Sequence, residues 1–526
     1  MALVLPPNVS AKSFQQALDA FAGVVGRQWV LATEEDRHTY LDAFSIGDAN
    51  DHVPSAAVAP QSAEEVQAIV RIANEHKTPL WPISRGKNLG YGGSAPRMSG
   101  TVILDLGRMK RILEVNERFG YCLLEPGVGF FDLFNYLQEN KIPLWMSVPG
   151  NAWGSVVGNA LERGYGYTPY GDNTGHICGM EVVLPNGEIV HTGTGAMSNS
   201  PCWQLFKYGY GPSWDQVFVQ SNFGIVTKVG LWLMPDPEST MGLNMQLPDA
   251  DDIGWAVDAL APLRLNGVVQ QSPSLGNSLR FAAVQSQRSE WYQGEGAMPE
   301  SVLKEVLRKF NLGWWSVNLR LYGYDEINEV NARVIKNAFA KYTKQEFAVT
   351  KWHRGDPIAD SGAGVPSVNS LQVVNWRGGR GGHVGFSPVL PATGEHVLKQ
   401  FHSTRKRYEE IGMDYYGSFT LFERYVTNIN MMIYDQDDAV MTAKVRALFK
   451  VLVEDAAKEG YSEYRTHLSF MDEVANTFDY NNHALLRLNE TVKDALDPNG
   501  ILAPGKQGIW PKALRGRTSA AQGRKA

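Results

Sequence analysis

SRGKNLGYGGSAP, residues 84–96, places four glycines within ten residues. Neither familiar Gly-rich phosphate motif fits: the Walker pattern needs Gly-Lys-Ser/Thr after a spaced glycine, and the dinucleotide fingerprint needs three glycines opening a helix. Arg85, Lys87 and Asn88, with the amides of Gly86, Gly90, Gly92 and Gly93, offer many donors and few acceptors. Such a loop suits an anion, because glycine allows close backbone approach and successive amides form an anion-binding nest. An ordinary surface loop shares this composition, and the stretch alone does not separate the two.

Working outward, Ser62 with Glu65 three residues on reads as a capping box, and Val66, Ile69, Val70 and Ala73 repeat at helical spacing. LWPIS leads into the loop and TVILDL after it reads as a buried strand. RILEVN and YCLLEPG are short strand-like pieces, followed by a helix with Phe130, Leu133, Phe134 and Leu137 on one face. In MEVVLPNGEIV, Asn186-Gly187 between two apolar runs predicts a hairpin. Further glycine clusters, GNAWGSVVGN (150–159) and RGYGYTPYGD (163–172), tilt the reading toward several backbone-exposing loops along one long ligand.

At 526 residues the chain exceeds the size of a single core. Pro235 and Pro237 mark a boundary, so the expected division is an N-terminal part over 1–237, a second α+β domain over 238–460, and a segment over 461–526 returning to the first. A hydrophobic content of 44% describes a globular protein, and the net charge of −6 argues against nucleic acid as a partner. The basic stretch from Arg515 to Ala526 reads as a loose tail. Three cysteines, Cys122, Cys178 and Cys202, form neither a disulfide framework nor a zinc pattern, and no metal is expected. The N-terminus has no basic region before an apolar run, and no span of membrane-crossing length occurs, so the expectation is a cytoplasmic protein without a membrane partner. GTGTGAMS lacks a third glycine, and His176 with Cys178 lacks a second ligand pair; neither carries weight.

Six motifs, SRGKNLGYGG, PGNAWGSVVGNALERGYGYTPYGD, GMEVVLPNGE, SNFGIVTK, EYRTHLSFMD and DPNGILAPGKQGIWP, stand in this order. In them the chain resembles the vanillyl alcohol oxidase and p-cresol methylhydroxylase flavoprotein family, with the bacterial eugenol oxidase branch the nearest likeness. The resemblance implies an α+β, two-domain FAD-binding fold of the p-cresol methylhydroxylase type, with an α+β cap over the flavin ring. By the same resemblance Ser84, Arg85, Gly86, Lys87, Asn88, Leu89, Gly90 and Gly92 cradle the FAD pyrophosphate. Pro149, Gly150, Gly154, Ser155, Gly158, Asn159, Gly164, Gly166 and Tyr167, with Gly224, Ile225 and Val226, line the rest, and Lys506 contacts the cofactor.

A lone histidine such as His383 is ordinarily a satisfied polar residue. In the family's oxidases, however, the matching position carries the flavin covalently; the methylhydroxylases use a tyrosine upstream, where Val374 stands here. The resemblance therefore implies FAD bonded through His383. It also assigns Tyr91, Tyr464 and Arg465 to a phenolate. Lowering a phenol pKa from near 10 to about 7 takes roughly 4 kcal/mol, and donors to a charged partner contribute about 1.5–3 kcal/mol each. The implied activity is oxidation of 4-alkylphenols, 4-allylphenols and 4-hydroxybenzyl alcohols through a quinone methide, with oxygen as acceptor and hydrogen peroxide as product. The alternative is a dehydrogenase passing electrons to a cytochrome or copper protein. A homodimer or larger homo-oligomer is expected from the family.

Two departures stand out. Gly150 occupies the place of an aspartate near the flavin in the oxidases, and Thr427 and Asn428 stand where relatives have paired histidines. With Ser418 and Thr420 also small, a roomier pocket for bulky, lignin-derived phenols is expected at Ser418, Thr420 and Thr427.

Overall fold

The computed structural model describes residues 3–47, 49–357 and 360–515. The helix Ala63–His76 starts as its sequence predicts: the Ser62 hydroxyl accepts from the Glu65 amide at 3.2 Å. Glu65 does not close a full capping box; its carboxylate accepts from the Gln61 amide instead, at 2.8 Å. Val66, Ile69, Val70 and Ala73 are buried. This helix packs with Ala11–Val25 beside a four-stranded sheet ordered Val30–Leu31, Ala56–Val58, Val102–Asp105, Leu80–Ile83.

Leu80–Ile83 and Val102–Asp105 are parallel neighbours, with Leu80 opposite Val102 and Ile83 opposite Asp105. Parallel neighbours need a long crossover, usually a helix. Here the crossover is the glycine-rich loop itself, and it leaves the carboxyl end of a parallel strand, where α/β sheets commonly bind ligands.

A second sheet is antiparallel throughout, ordered Ile112–Asn116, Tyr121–Leu124, Ile225–Trp232, Ile177–Val183, Ile189–His191. The last two strands are the expected hairpin. Its turn closes through Gly187 N–H to the Leu184 carbonyl at 2.8 Å, with Gly187 at φ +83° as the residue that only glycine adopts readily. Phe130, Leu133 and Leu137 of the helix Phe130–Glu139 are buried under this sheet.

From Ser239 the chain builds a nine-stranded antiparallel sheet ordered Ala348–His353, Ser239–Leu247, Trp315–Gly323, Ser274–Asn277, Gly417–Leu421, Tyr425–Asp435, Pro388–Pro391, Ser462–Glu463, with Gly381–Phe386 also paired to Tyr425–Asp435. The helices Asp252–Leu265, Asp325–Phe339, Gly394–Glu410 and Ala439–Lys458 share its apolar core.

The C-terminal segment comes back to the first sheet. Leu80 N–H donates to the Ile501 carbonyl at 2.7 Å, and Ala503 N–H to the Leu80 carbonyl at 2.8 Å. Asp497 holds the returning turn by accepting from the amides of Ile501 and Leu502, while pairing with buried Lys493 at 2.7 Å. Arg515 is not loose: it pairs with Glu490 and Asp494. The remainder of the expected tail, 516–526, lies outside the described residues. Among the described residues no helix is long and apolar enough to cross a membrane. All three cysteines are free. His176 stacks on Tyr170 and bonds the Asp172 carbonyl, and no metal-holding cluster occurs among the described residues.

Candidate active site

A cavity of about 410 Å³ runs between the sheets of the first part and the nine-stranded sheet. One wall is backbone. Ser84, Gly86, Lys87, Asn88, Leu89 and Gly92 of the crossover loop line it, with Pro149, Gly150, Gly154, Ser155, Gly158, Asn159, Gly224, Ile225 and Val226. The loop is held in shape from within, Tyr91 and Gly93 both donating to the Asn88 carbonyl at 3.1 Å.

Four expected cofactor residues lie elsewhere. Arg85 is drawn off by Asp132, 2.7 Å away. Gly164 packs against the Asn159 side chain, and Gly166 against Ser147 and Val148. Gly90 touches His383: a Cβ there would stand 2.6 Å from the imidazole Nε2. With φ at +81°, this position is closed to a side chain twice over.

The other wall is side chains on strands. Directly opposed residues of antiparallel strands share a face, so His383 opposite Ile433, and Gly385 opposite Met431, lie on the face of Ile429 and Met431, which line the cavity with His383 and Gly385. Burial pushes the His383 imidazole down to about 4, with Arg280 and His467 also disfavouring its charge and Asp42 opposing them. It is neutral at neutral pH. Its Nδ1 is buried without a partner among the described residues.

Tyr91 and Arg465 meet here. The guanidinium carbon lies 4.2 Å from the Tyr91 ring centroid and Arg465 donates to the Asn88 side chain. Gly385 makes room, since a Cβ there would come within 3.1 Å of the Tyr91 hydroxyl. Tyr464 does not line the cavity; its ring centroid is 6.5 Å from Tyr165, and burial raises its hydroxyl pKa well above the usual value, so it keeps its proton to donate. Lys506 reaches the cavity and pairs with Glu162.

The three small cap residues are not on the cavity wall. Thr420 is opposite Thr427, and Ser418 opposite Ile429. The Tyr165 hydroxyl stands against one of them, bonding Thr420 Oγ1 at 2.9 Å. At Thr420 a tyrosine takes up the room left by a small side chain. Val374 lies in the turn Asn369–Arg377, beneath Gly381, whose Cβ would strike its carbonyl.

Sequence reasoning missed Tyr165 as part of the site, together with Ser370, Thr466 and Arg280, which line the cavity. Tyr165 sat in a quoted glycine cluster and was readable as an aromatic beside the expected Tyr167. Arg280 had no such signal.

The cavity suits a large flat cofactor with polar edges. Ser221 Oγ, His383 Nδ1, Arg465 Nε and Thr466 Oγ1 belong to lining residues, are buried, and have no partner among the described residues. Buried polar groups are nearly always paired, so four orphans around one cavity mark atoms that a bound group satisfies.

Comparison with known proteins gives that group its identity. Residues 54–193 match the FAD binding domain and residues 392–507 the C-terminal domain of FAD linked oxidases. The flavoprotein subunit of the hydroxylating 4-cresol dehydrogenase of Pseudomonas putida is 37% identical over 513 residues, covering 96% of this chain and 98% of its own. The chain belongs to the vanillyl alcohol oxidase and p-cresol methylhydroxylase flavoprotein family. Its structure superposes on 4-ethylphenol oxidase from Gulosibacter chungangensis with a TM-score of 0.92 at 36% identity, covering 97% of this chain and 100% of that one. The 1'-carboxy-chondrochloren decarboxylase of Chondromyces crocatus is 29% identical, covering 96% of this chain and all of its own.

The fold is therefore the family's two-domain FAD-binding fold, and the protein is a flavin-dependent oxidoreductase of a family that oxidises para-substituted phenols.

Proposed function

We propose that the protein oxidises 4-alkylphenols, 4-allylphenols and 4-hydroxybenzyl alcohols at the benzylic carbon, with FAD held covalently through His383 and oxygen as the electron acceptor. FAD supplies the hydride acceptor. The observation that carries the reading is Arg465 set over the Tyr91 ring in the cavity that His383 also lines, with Tyr464 buried behind them next to Tyr165.

Arg465 supplies a permanent positive charge next to the Tyr91 ring, and donors aimed at a developing anion in a water-poor site are the strongest device available for stabilising it. Tyr464, kept protonated by burial, adds a donor. The phenolate so held pushes electron density toward the para carbon and favours departure of a benzylic hydride, leaving a quinone methide. Water addition then gives a benzylic alcohol, proton loss an alkene, and oxidation of a 4-hydroxybenzyl alcohol an aldehyde. Gly150 brings no carboxylate to the cavity, and Glu162, the one carboxylate among the lining residues, is committed to Lys506. Hydration therefore relies on solvent rather than on a general base in the wall.

A second reading has one observation behind it: the Pseudomonas putida relative is named as the subunit of a dehydrogenase. Anaerobic addition of 4-ethylphenol to the holoprotein should bleach the flavin band, and air should restore it promptly. Bleaching with slow return in air would favour an electron-carrier protein as acceptor. Flavin colour should stay with the acid-denatured wild-type chain and be lost from His383→Ala.

A further inference from the structure

Four cations line the cavity: Lys87, Arg280, Arg465 and Lys506. Lys506 is paired with Glu162, Arg465 is tied to Asn88 and Tyr91, and Lys87 lies 4.7 Å from the Trp153 ring centroid. Arg280 has no hydrogen bond and no ion pair among the described residues. It is half-buried, on the helix Leu279–Gln285 of the cap, whose buried face is Leu279, Ala282 and Ala283. Its charge is felt by Tyr165, Tyr167, Tyr415 and His383. A guanidinium held in a cavity without a counter-ion is costly, and arginine forks match carboxylates closely.

Its neighbours extend the argument. Tyr464, Tyr165 and Tyr167 form a row of rings with centroid steps of 6.5 and 6.3 Å, leading from the phenolate donors toward Gly150. The Tyr167 hydroxyl makes no hydrogen bond among the described residues and faces Gly150, where a Cβ would be 3.1 Å away. Ser370, also lining, donates to the Gly150 carbonyl at 2.5 Å. The cavity thus presents one unpaired guanidinium, Arg280, and, at the far end of the row, one free hydroxyl beside a residue without a side chain.

We propose that Arg280, with the Tyr167 hydroxyl, binds a carboxylate at the end of the substrate's para side chain, so that the preferred substrates are 4-hydroxyphenylalkanoates rather than neutral alkylphenols. This rests on the phenol-oxidising reading above and names its substrate class.

The test compares 3-(4-hydroxyphenyl)propanoate with 4-propylphenol in the holoenzyme, as a ratio of kcat/KM, in wild type, Arg280→Met and Arg280→Glu. Wild type should favour the acid. Arg280→Met should lower the acid-to-neutral ratio about 10- to 100-fold, mainly through KM, as expected for one charge-assisted contact. Arg280→Glu should shift preference toward tyramine, whose side chain ends in an ammonium. Equal losses on acid and neutral substrate, or loss of FAD from Arg280→Met, would overturn the proposal by making Arg280 a structural or cofactor residue. A wild type that oxidises 4-propylphenol but not the acid would overturn it while leaving phenol oxidation standing. Failure on every phenol would sink the underlying reading as well.

Discussion

On one side of the cavity the contacts come from backbone, in the crossover loop 84–93 and the turns around Gly150, Gly154 and Gly224. On the other they come from side chains set by strand register, His383, Ile429 and Met431, and by a single arginine on a short helix. The first wall tolerates changes of side-chain chemistry but not of shape, because a Cβ at Gly86, Gly92, Gly158 or Gly224 enters occupied space. The second tolerates small changes of shape but not of chemistry, because its function rests on what each side chain donates. One wall can stay constant around a fixed cofactor while the other varies with the substrate.

The largest expected effect is on the chemical wall. Arg465→Ala should lower kcat/KM for 4-ethylphenol about 100-fold or more, as loss of one preorganised donor to a developing anion does. A drop below fivefold would mean that the phenolate is held elsewhere. Next comes the shape wall: Gly90→Ala forces a Cβ toward His383 and costs about 1–2 kcal/mol of backbone strain besides. Flavin retained after denaturation should fall well below wild type, whereas Gly385→Ala, with its 3.1 Å approach to Tyr91, should retain flavin and instead raise KM. Reversal of those two outcomes would break the division between walls.

A smaller effect follows from His52, whose ring bonds the Arg97 carbonyl and Ser469 hydroxyl beneath the loop. Burial, then Arg97 and His467, push its pKa from 6.5 down to about 3. The unfolded chain therefore takes a proton near pH 6.5 that the folded chain refuses until about 3. Stability from this group is full above 6.5 and is lost progressively as pH falls through that window. Tm should decline with acidification, and less steeply in His52→Gln; parallel slopes would exclude His52. Smallest is Thr427→Val, which removes a buried hydroxyl with no partner among the described residues. Tm should stay level or rise slightly, within about 1 kcal/mol. A clear fall would show that Thr427 Oγ1 has a partner in the working enzyme.

Much of the first wall was legible because glycine-rich loops announce themselves locally, and so was the helix after Ser62, whose cap and apolar spacing sit within a dozen residues. Arg85 misled, since a cation in the right loop was claimed by Asp132, a residue 47 positions away. The cap side was harder. Ser418, Thr420 and Thr427 were readable as small, but only the tertiary fold reveals that Tyr165, from a loop of the first part of the chain, bonds Thr420. Arg280 follows no motif at all; its importance comes from being left unpaired, and an absence of partners has no sequence signature.

The bridge between Leu80 and Leu502 spans most of the polypeptide. During synthesis the strand carrying the crossover loop emerges early, while Ile501 and Ala503, which hold Leu80 in place, and Lys506, which reaches the cavity, emerge hundreds of residues later. Contacts of such long range form slowly and leave apolar surface uncovered in the interval. Assembly of the cofactor pocket is thus a late event, and a ribosome stalled before residue 501 carries a chain that has the whole cap but lacks these contacts to Leu80.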